Sequence, residues 1–167
     1  EALDRAGAAP FGAGGLTMTP YLSGERTPNL PEATGTITGV TTANATPDLF
    51  LRAALEGVAY GLAYCVGALG RQGLTGSEIT LVGGGSAHLA WRQVIADTTG
   101  LPVAIRAGGE HAARGAAVQA AAIVRNEPVA DVAGRWRPEV VGTVQPNPAH
   151  RALANRANTV GTIPGVE

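Results

Sequence analysis

Apolar residues recur along this chain with two periods, and the alternation between them outlines the fold. Leu51, Leu55, Val58, Leu62, Val66 and Leu69 follow at spacings of four and three, which predicts a long helix with one buried face. Thr46-Pro47-Asp48 marks its start: a capping hydroxyl, a proline for the first turn and an acid facing the positive end of the dipole. Gly70 and Gly73 end it. Gly57 and Gly61 lie one turn apart on this helix, each costing roughly 1 kcal/mol against alanine, so close packing against another element is expected there. Shorter extended runs flank it. Residues 16–22 form the first, with Pro20 suited to an edge, and residues 35–42 the second. Between them residues 23–31 hold too many breakers for regular structure, and loops of that length in a compact domain are often functional.

Downstream, the β-branched run 79–82 stops at Gly83-Gly84-Gly85, and a helix is expected from about residue 87 to 99, closed by Gly100 in the C′ place. Residues 102–106 predict another strand, and 111–125 a small-residue helix stopped before Pro128. Beyond Asp131 the pattern weakens at Pro138, Pro146 and Pro148, leaving an outer helix over residues 149–159. Strands alternating with helices predict an α/β domain with helices packed on a sheet. It is expected to span residues 1–130, with 131–167 as a C-terminal tail.

The glycine run carries the chemistry. Glycines let backbone approach a ligand without an intervening Cβ, and a helix start offers free N–H groups to an anion or a polar ring edge. The turn lies at the carboxyl end of its strand, where open α/β sheets bind ligands. The competing reading is a tight strand-to-helix turn with no ligand. A dinucleotide fold fits poorly: Gly83 and Gly85 match, but His88 stands at the third glycine position. No acid follows at the ribose distance, where Ile105 and Arg106 stand instead.

Composition removes several further classes. All 12 basic residues are arginine, so a Walker loop and lysine-based covalent chemistry are excluded. The net charge of −1 gives no footprint for nucleic acid or an anionic membrane, and no apolar run is expected to approach the about 18 residues a membrane span needs. The single cysteine, Cys65, rules out an internal disulfide and suits a reducing cytoplasm. His88, His111 and His150 have no metal-ligand spacing. Gly84-Gly85-Ser86-Ala87-His88 lacks the last glycine of a nucleophile elbow. Glu25 and Arg26 are the charges of interest in the breaker-rich loop, read as a self-paired or solvated loop ahead of catalysis. The chain opens on Glu1, as expected of an excised piece.

Pro20-Tyr21-Leu22-Ser23-Gly24-Glu25-Arg26-Thr27-Pro28, Gly35-Thr36-Ile37-Thr38-Gly39-Val40 and Leu55-Glu56-Gly57-Val58-Ala59-Tyr60 stand in order along the chain. Val82-Gly83-Gly84-Gly85-Ser86, Trp91-Arg92-Gln93 with Ala96-Asp97, and Glu110 with Ala113 and Gly115-Ala116-Ala117 follow. Together they resemble the C-terminal half of the xylulokinases, sugar kinases of the FGGY family, from about residue 16 to 125 with a tail to about 156. Leu49 departs from the pattern, which prefers a polar or acidic residue there.

The resemblance implies an actin-like (ribonuclease H-like) ATPase domain, the C-terminal lobe of a two-lobed kinase, without its first strands. It implies ATP with Mg²⁺ as cofactors, D-xylulose as the sugar phosphorylated on O5, and a cytoplasmic enzyme. Gly83, Gly84, Gly85, Ser86 and Leu89 would line the nucleotide, while Glu25 and Arg26 would serve the loop or an interface. The catalytic aspartate and the sugar pocket belong to the N-terminal domain, so no catalytic residue and no metal ligand are expected here, and the chain alone should not phosphorylate sugar. That domain is the implied partner, and the cleft surface left bare without it favours self-association. Kinases for glycerol, gluconate or ribulose, or a non-catalytic actin-like nucleotide-binding module, are the alternatives.

Overall fold

A computed structural model describes residues 1–150. The helices are α1 (Ala2–Ala8), α2 (Pro47–Arg71), α3 (Leu89–Thr99), α4 (His111–Arg125) and α5 (Val129–Arg135); the strands are β1 (Thr17–Thr19), β2 (Thr36–Thr38), β3 (Ile79–Thr80), β4 (Val103–Arg106) and β5 (Val140–Val144). β1 and β2 form an antiparallel pair. The second sheet has the order β3-β4-β5, with β3 parallel and β5 antiparallel to β4.

The expected elements fall close to their places, α1 was not expected, and further differences follow. α2 begins at Pro47 with Thr46 as its N-cap, but the Thr46 hydroxyl makes no capping bond. The glycine run is followed by a short 3-10 turn, Gly84–Ala87, before α3 starts at Leu89. β5 was not expected: it carries Gly142 and shows mostly exposed positions, so only its long-range pairing with β4 makes it a strand. The stretch expected as a tail from residue 131 thus supplies most of α5 and all of β5. The outer helix expected over 149–159 lies outside the described residues apart from His150, which ends a 3-10 turn, Pro148–His150.

The buried face of α2 is rotated from the expected stripe. Leu55 is buried and Leu51 packs on the core of Ala6, Ala59, Val94, Ile95, Ala96 and Val103. Val58, Leu62 and Leu69 are instead exposed, at 47%, 43% and 52%. What α2 buries is Arg52, Ala53, Glu56, Gly57, Ala59, Tyr60 and Ala63. Arg52 Nε donates to Glu56 Oε1 (2.5 Å), which also accepts the Gly12 N–H (2.8 Å); Tyr60 Oη lies 3.1 Å from Glu56 Oε2. This satisfied pair permits two charges in the interior. Gly57 is needed as expected, because a Cβ there would run into the Met18 carbonyl of β1. Gly61 is not, having nothing within 4 Å of a Cβ position. Leu49 packs over Gly14 and joins Met18 and Phe50 against Ala13, Leu16 and Ala53, which accounts for an apolar residue at that departure.

A window of α2 does reach the length and mean hydropathy (1.4) of a membrane span. That window is 39% buried inside the protein, and the helix carries the Arg52–Glu56 pair.

α3 is fastened from both sides. Gly7 brings α1 so close that a Cβ would lie 2.6 Å from Ala90 Cβ. On the other side the buried Asp97 carboxylate accepts the Asn147 N–H (2.7 Å) and a Gln93 Nε2–H (2.9 Å), and lies 2.8 Å from His150 Nδ1. Gln93 and Asp97 therefore hold the segment after β5 onto the helix that follows the glycine turn.

Candidate functional site

β3 and β4 are parallel, so both leave the sheet on one side and their outgoing turns face each other. The first is the glycine turn. Gly83 has φ 88°, a conformation that favours glycine. Its carbonyl accepts both the Ser86 N–H (3.0 Å) and the Ser86 hydroxyl (2.6 Å). The Ser86 carbonyl in turn accepts Arg92 Nε–H (2.5 Å), so the first turn of α3 reaches back to hold the loop. The second turn passes through Gly108 (φ 84°) and Gly109 to Glu110, the N-cap of α4.

A cavity of about 580 Å³ lies between the turns. Gly83, Gly84, Ser86 and Arg92 form one wall; Gly108, Gly109, Glu110 and His111 form the other; Leu81, Ile105 and Arg106 lie between. The size is that of an ordinary small-molecule pocket. Three of the five expected nucleotide residues line it. The two others do not: Gly85 backs onto Trp91, whose ring would lie 3.4 Å from a Cβ, and Leu89 is 66% exposed outside the lining.

Arg92, Glu110 and His111 were not anticipated as site residues. The available signal was a second glycine pair, Gly108-Gly109, directly after the neighbouring strand, which pairs two loops at one sheet edge.

The charges in the cavity are unequally committed. Arg106 donates to Glu78 Oε1 (2.8 Å), to the Thr80 hydroxyl (3.3 Å) and to the Pro138 carbonyl (3.3 Å). Arg92 uses only Nε; its terminal nitrogens have no partner among the described residues. His88, just before α3, places Nε2 3.1 Å from Asp4 Oδ1, while its Nδ1 is buried without a partner among the described residues. No group of three or more His, Cys, Asp or Glu side chains able to hold a metal occurs among them.

Glu25 and Arg26 stand apart from this cavity. Glu25 Oε1 accepts the N–H groups of Arg26 (2.7 Å) and Thr27 (3.1 Å), and the Glu25 backbone exchanges hydrogen bonds with Leu30. Its carboxylate is committed to its own turn, and Arg26 is exposed. Tyr21 beside it is buried, and burial first, then the Glu25 charge, raises its phenol above the ordinary value. A second cavity, about 400 Å³ beneath residues 29–36, has Glu32 as its one charged lining residue.

Paired glycine turns at the carboxyl ends of adjacent parallel strands lie where open α/β folds place small-ligand sites. The fold is that of the C-terminal domain of sugar kinases, an α/β arrangement of the actin-like kind. The chain belongs to the FGGY family of carbohydrate kinases: the model of the family's C-terminal domain matches residues 1–124. It is 39% identical over 112 residues to a xylulose kinase of Haemophilus influenzae, covering 67% of this chain and 23% of that one. The crystal structure of xylulose kinase from Bifidobacterium adolescentis superposes with a TM-score of 0.75 at 34% identity, covering 95% of this chain and 31% of that one. A Plasmodium falciparum glycerol kinase solved with ADP shares the fold at 20% identity, with a TM-score of 0.78 over 99% of this chain and 34% of its own. The chain thus spans about a quarter of the length of the curated relatives it matches.

Proposed function

We propose that this chain is the nucleotide-holding part of a cytoplasmic kinase that moves the γ-phosphoryl group of ATP to O5 of D-xylulose. The observation that carries this reading is the cavity between the two glycine turns, in a chain whose relatives are xylulose kinases. Gly83 and Gly84 offer backbone that a nucleotide can approach closely, Ser86 holds their turn, and Glu110 and His111 close the opposite side. Gly85 acts from behind, through Trp91, and Leu89 flanks the opening. Mg²⁺ enters on the ATP phosphates.

Phosphoryl transfer is mostly positioning and charge stabilisation. In the reaction O5 bonds to the γ-phosphorus as the bond to the β–γ bridging oxygen breaks, ADP leaves, and the hydroxyl proton passes to an aspartate of the N-terminal domain. This chain contributes adenosine and phosphate binding and no proton transfer. Its partner surface is the exposed part of α2, Val58, Leu62, Cys65 and Leu69, an apolar stripe that suits contact with the other domain or, without it, a second copy.

The test is ATP-dependent phosphorylation of D-xylulose by the intact kinase, with this chain assayed beside it and glycerol, gluconate and ribulose as competing sugars. Turnover of D-xylulose by the intact kinase and none by the chain is expected. A preference for another sugar would replace the substrate, and no turnover on any sugar would leave a binding module.

A further inference from the structure

We propose that Arg92 is a positioning residue for the nucleotide: its Nε fixes the glycine turn through Ser86, and its two terminal nitrogens face the cavity to meet the phosphates. The inference rests on the nucleotide reading of the cavity and adds a residue to it. Two observations carry it.

The first is the bracing relay. Gly83 has no side chain and a positive φ, so nothing intrinsic holds its turn. Ser86 ties it through two bonds to the Gly83 carbonyl, and Arg92 ties Ser86 through a charge-assisted bond of 2.5 Å. Arg92 lies within the first turn of α3, itself clamped by Gly7 against Ala90 and by Asp97 against Asn147. The turn is thus referenced to a helix that buries five consecutive residues, Val94 to Thr98.

The second is the unequal commitment of the two cavity arginines. Arg106 makes three side-chain bonds to protein groups. Arg92 makes one, through Nε, and lines the cavity together with Gly83 and Gly84. A guanidinium whose inner nitrogen is anchored and whose outer pair is unbound is pre-set for a bidentate oxyanion.

Two measurements on R92M and R92K test this. The first is backbone amide exchange at Ser86 and His88, whose N–H groups bond within the turn. R92M is expected to speed exchange there by about tenfold, the loss of one charge-assisted bond, with R92K in between. Unchanged exchange overturns the brace. The second is calorimetric titration of the chain with ADP and with adenosine. R92M is expected to weaken ADP by about tenfold and adenosine by no more than about twofold, and R92K to recover part of the ADP loss. Equal losses on both ligands would overturn the phosphate contact. A wild-type chain that binds neither ligand overturns the nucleotide reading, while the exchange result still decides the brace.

Discussion

Glu56 is a position at which a single change should strongly destabilise this domain. It is 1% exposed, and its carboxylate has contacts from Arg52, the Gly12 N–H and Tyr60. Glu56→Ala leaves the Arg52 guanidinium buried with a 3.3 Å bond to the Ala6 carbonyl and the Phe11 ring 5.1 Å from its centre. Removing one partner of a buried pair costs about 3–5 kcal/mol. The orphaned Gly12 N–H, worth about 1–3 kcal/mol by itself, is partly included in that figure. Against a total of about 5–15 kcal/mol, Glu56→Ala removes much of the stability. Glu56→Gln keeps an acceptor for Gly12 and should lose about half as much. Arg52→Met with Glu56→Leu removes both charges and should recover most of the loss, because a buried pair exchanges with apolar residues at little cost. Urea unfolding followed by circular dichroism gives all three values, with thermal midpoints for any variant too weak to extrapolate. A loss below about 1 kcal/mol for Glu56→Ala, or a double variant no better than the single one, would refute the buried-pair reasoning.

Further outcomes are expected. Gly84 lines the cavity and has nothing within 4 Å of a Cβ position, so Gly84→Val should abolish ADP binding with the thermal midpoint nearly unchanged; retained affinity in titration would contradict the assignment. Gly85→Val, which meets Trp91 instead, should weaken binding less. Gly57→Ala drives a Cβ into the Met18 carbonyl and should cost about 1–3 kcal/mol in urea unfolding, whereas Gly61→Ala should be neutral or stabilising. The raised Tyr21 phenol means the fold favours its neutral form, so its contribution is complete below about pH 10 and is lost as pH rises toward the folded value. Thermal midpoints between pH 8 and 11 should therefore fall less in Tyr21→Phe than in wild type. Leu62→Asp, at an exposed apolar position, should reduce self-association in sedimentation without lowering the thermal midpoint.

What the sequence made legible is what local chemistry decides. α4 occupies His111–Arg125 as its small-residue run predicts, ending where Asn126 takes a left-handed φ of 52° before Pro128; Gly100 closes α3 in the same way at 69°. What it hid depends on distant partners. β5 exists because β4 offers an edge, and Arg92, Glu110 and His111 become neighbours only because β3 and β4 run parallel. The glycine turn itself was readable from its own residues, but the wall across the cavity from it was not.

The apolar stripe of α2 follows a different logic. Its period is intact from Leu51 to Leu69, yet only its first part meets a core in this domain. A hydrophobic period records that selection kept a face out of water, and it does not say which part of the polypeptide covers it. Gly61 adds to this, since a helix-interior glycine with nothing near its Cβ position forgoes stability for no gain within the described residues. Both features become intelligible if α2 is a two-sided helix. One side, through Glu56 and Gly57, carries β1 and the 3-10 segment Ala13–Gly15, and the other would be the surface proposed above for the second kinase domain or a second copy.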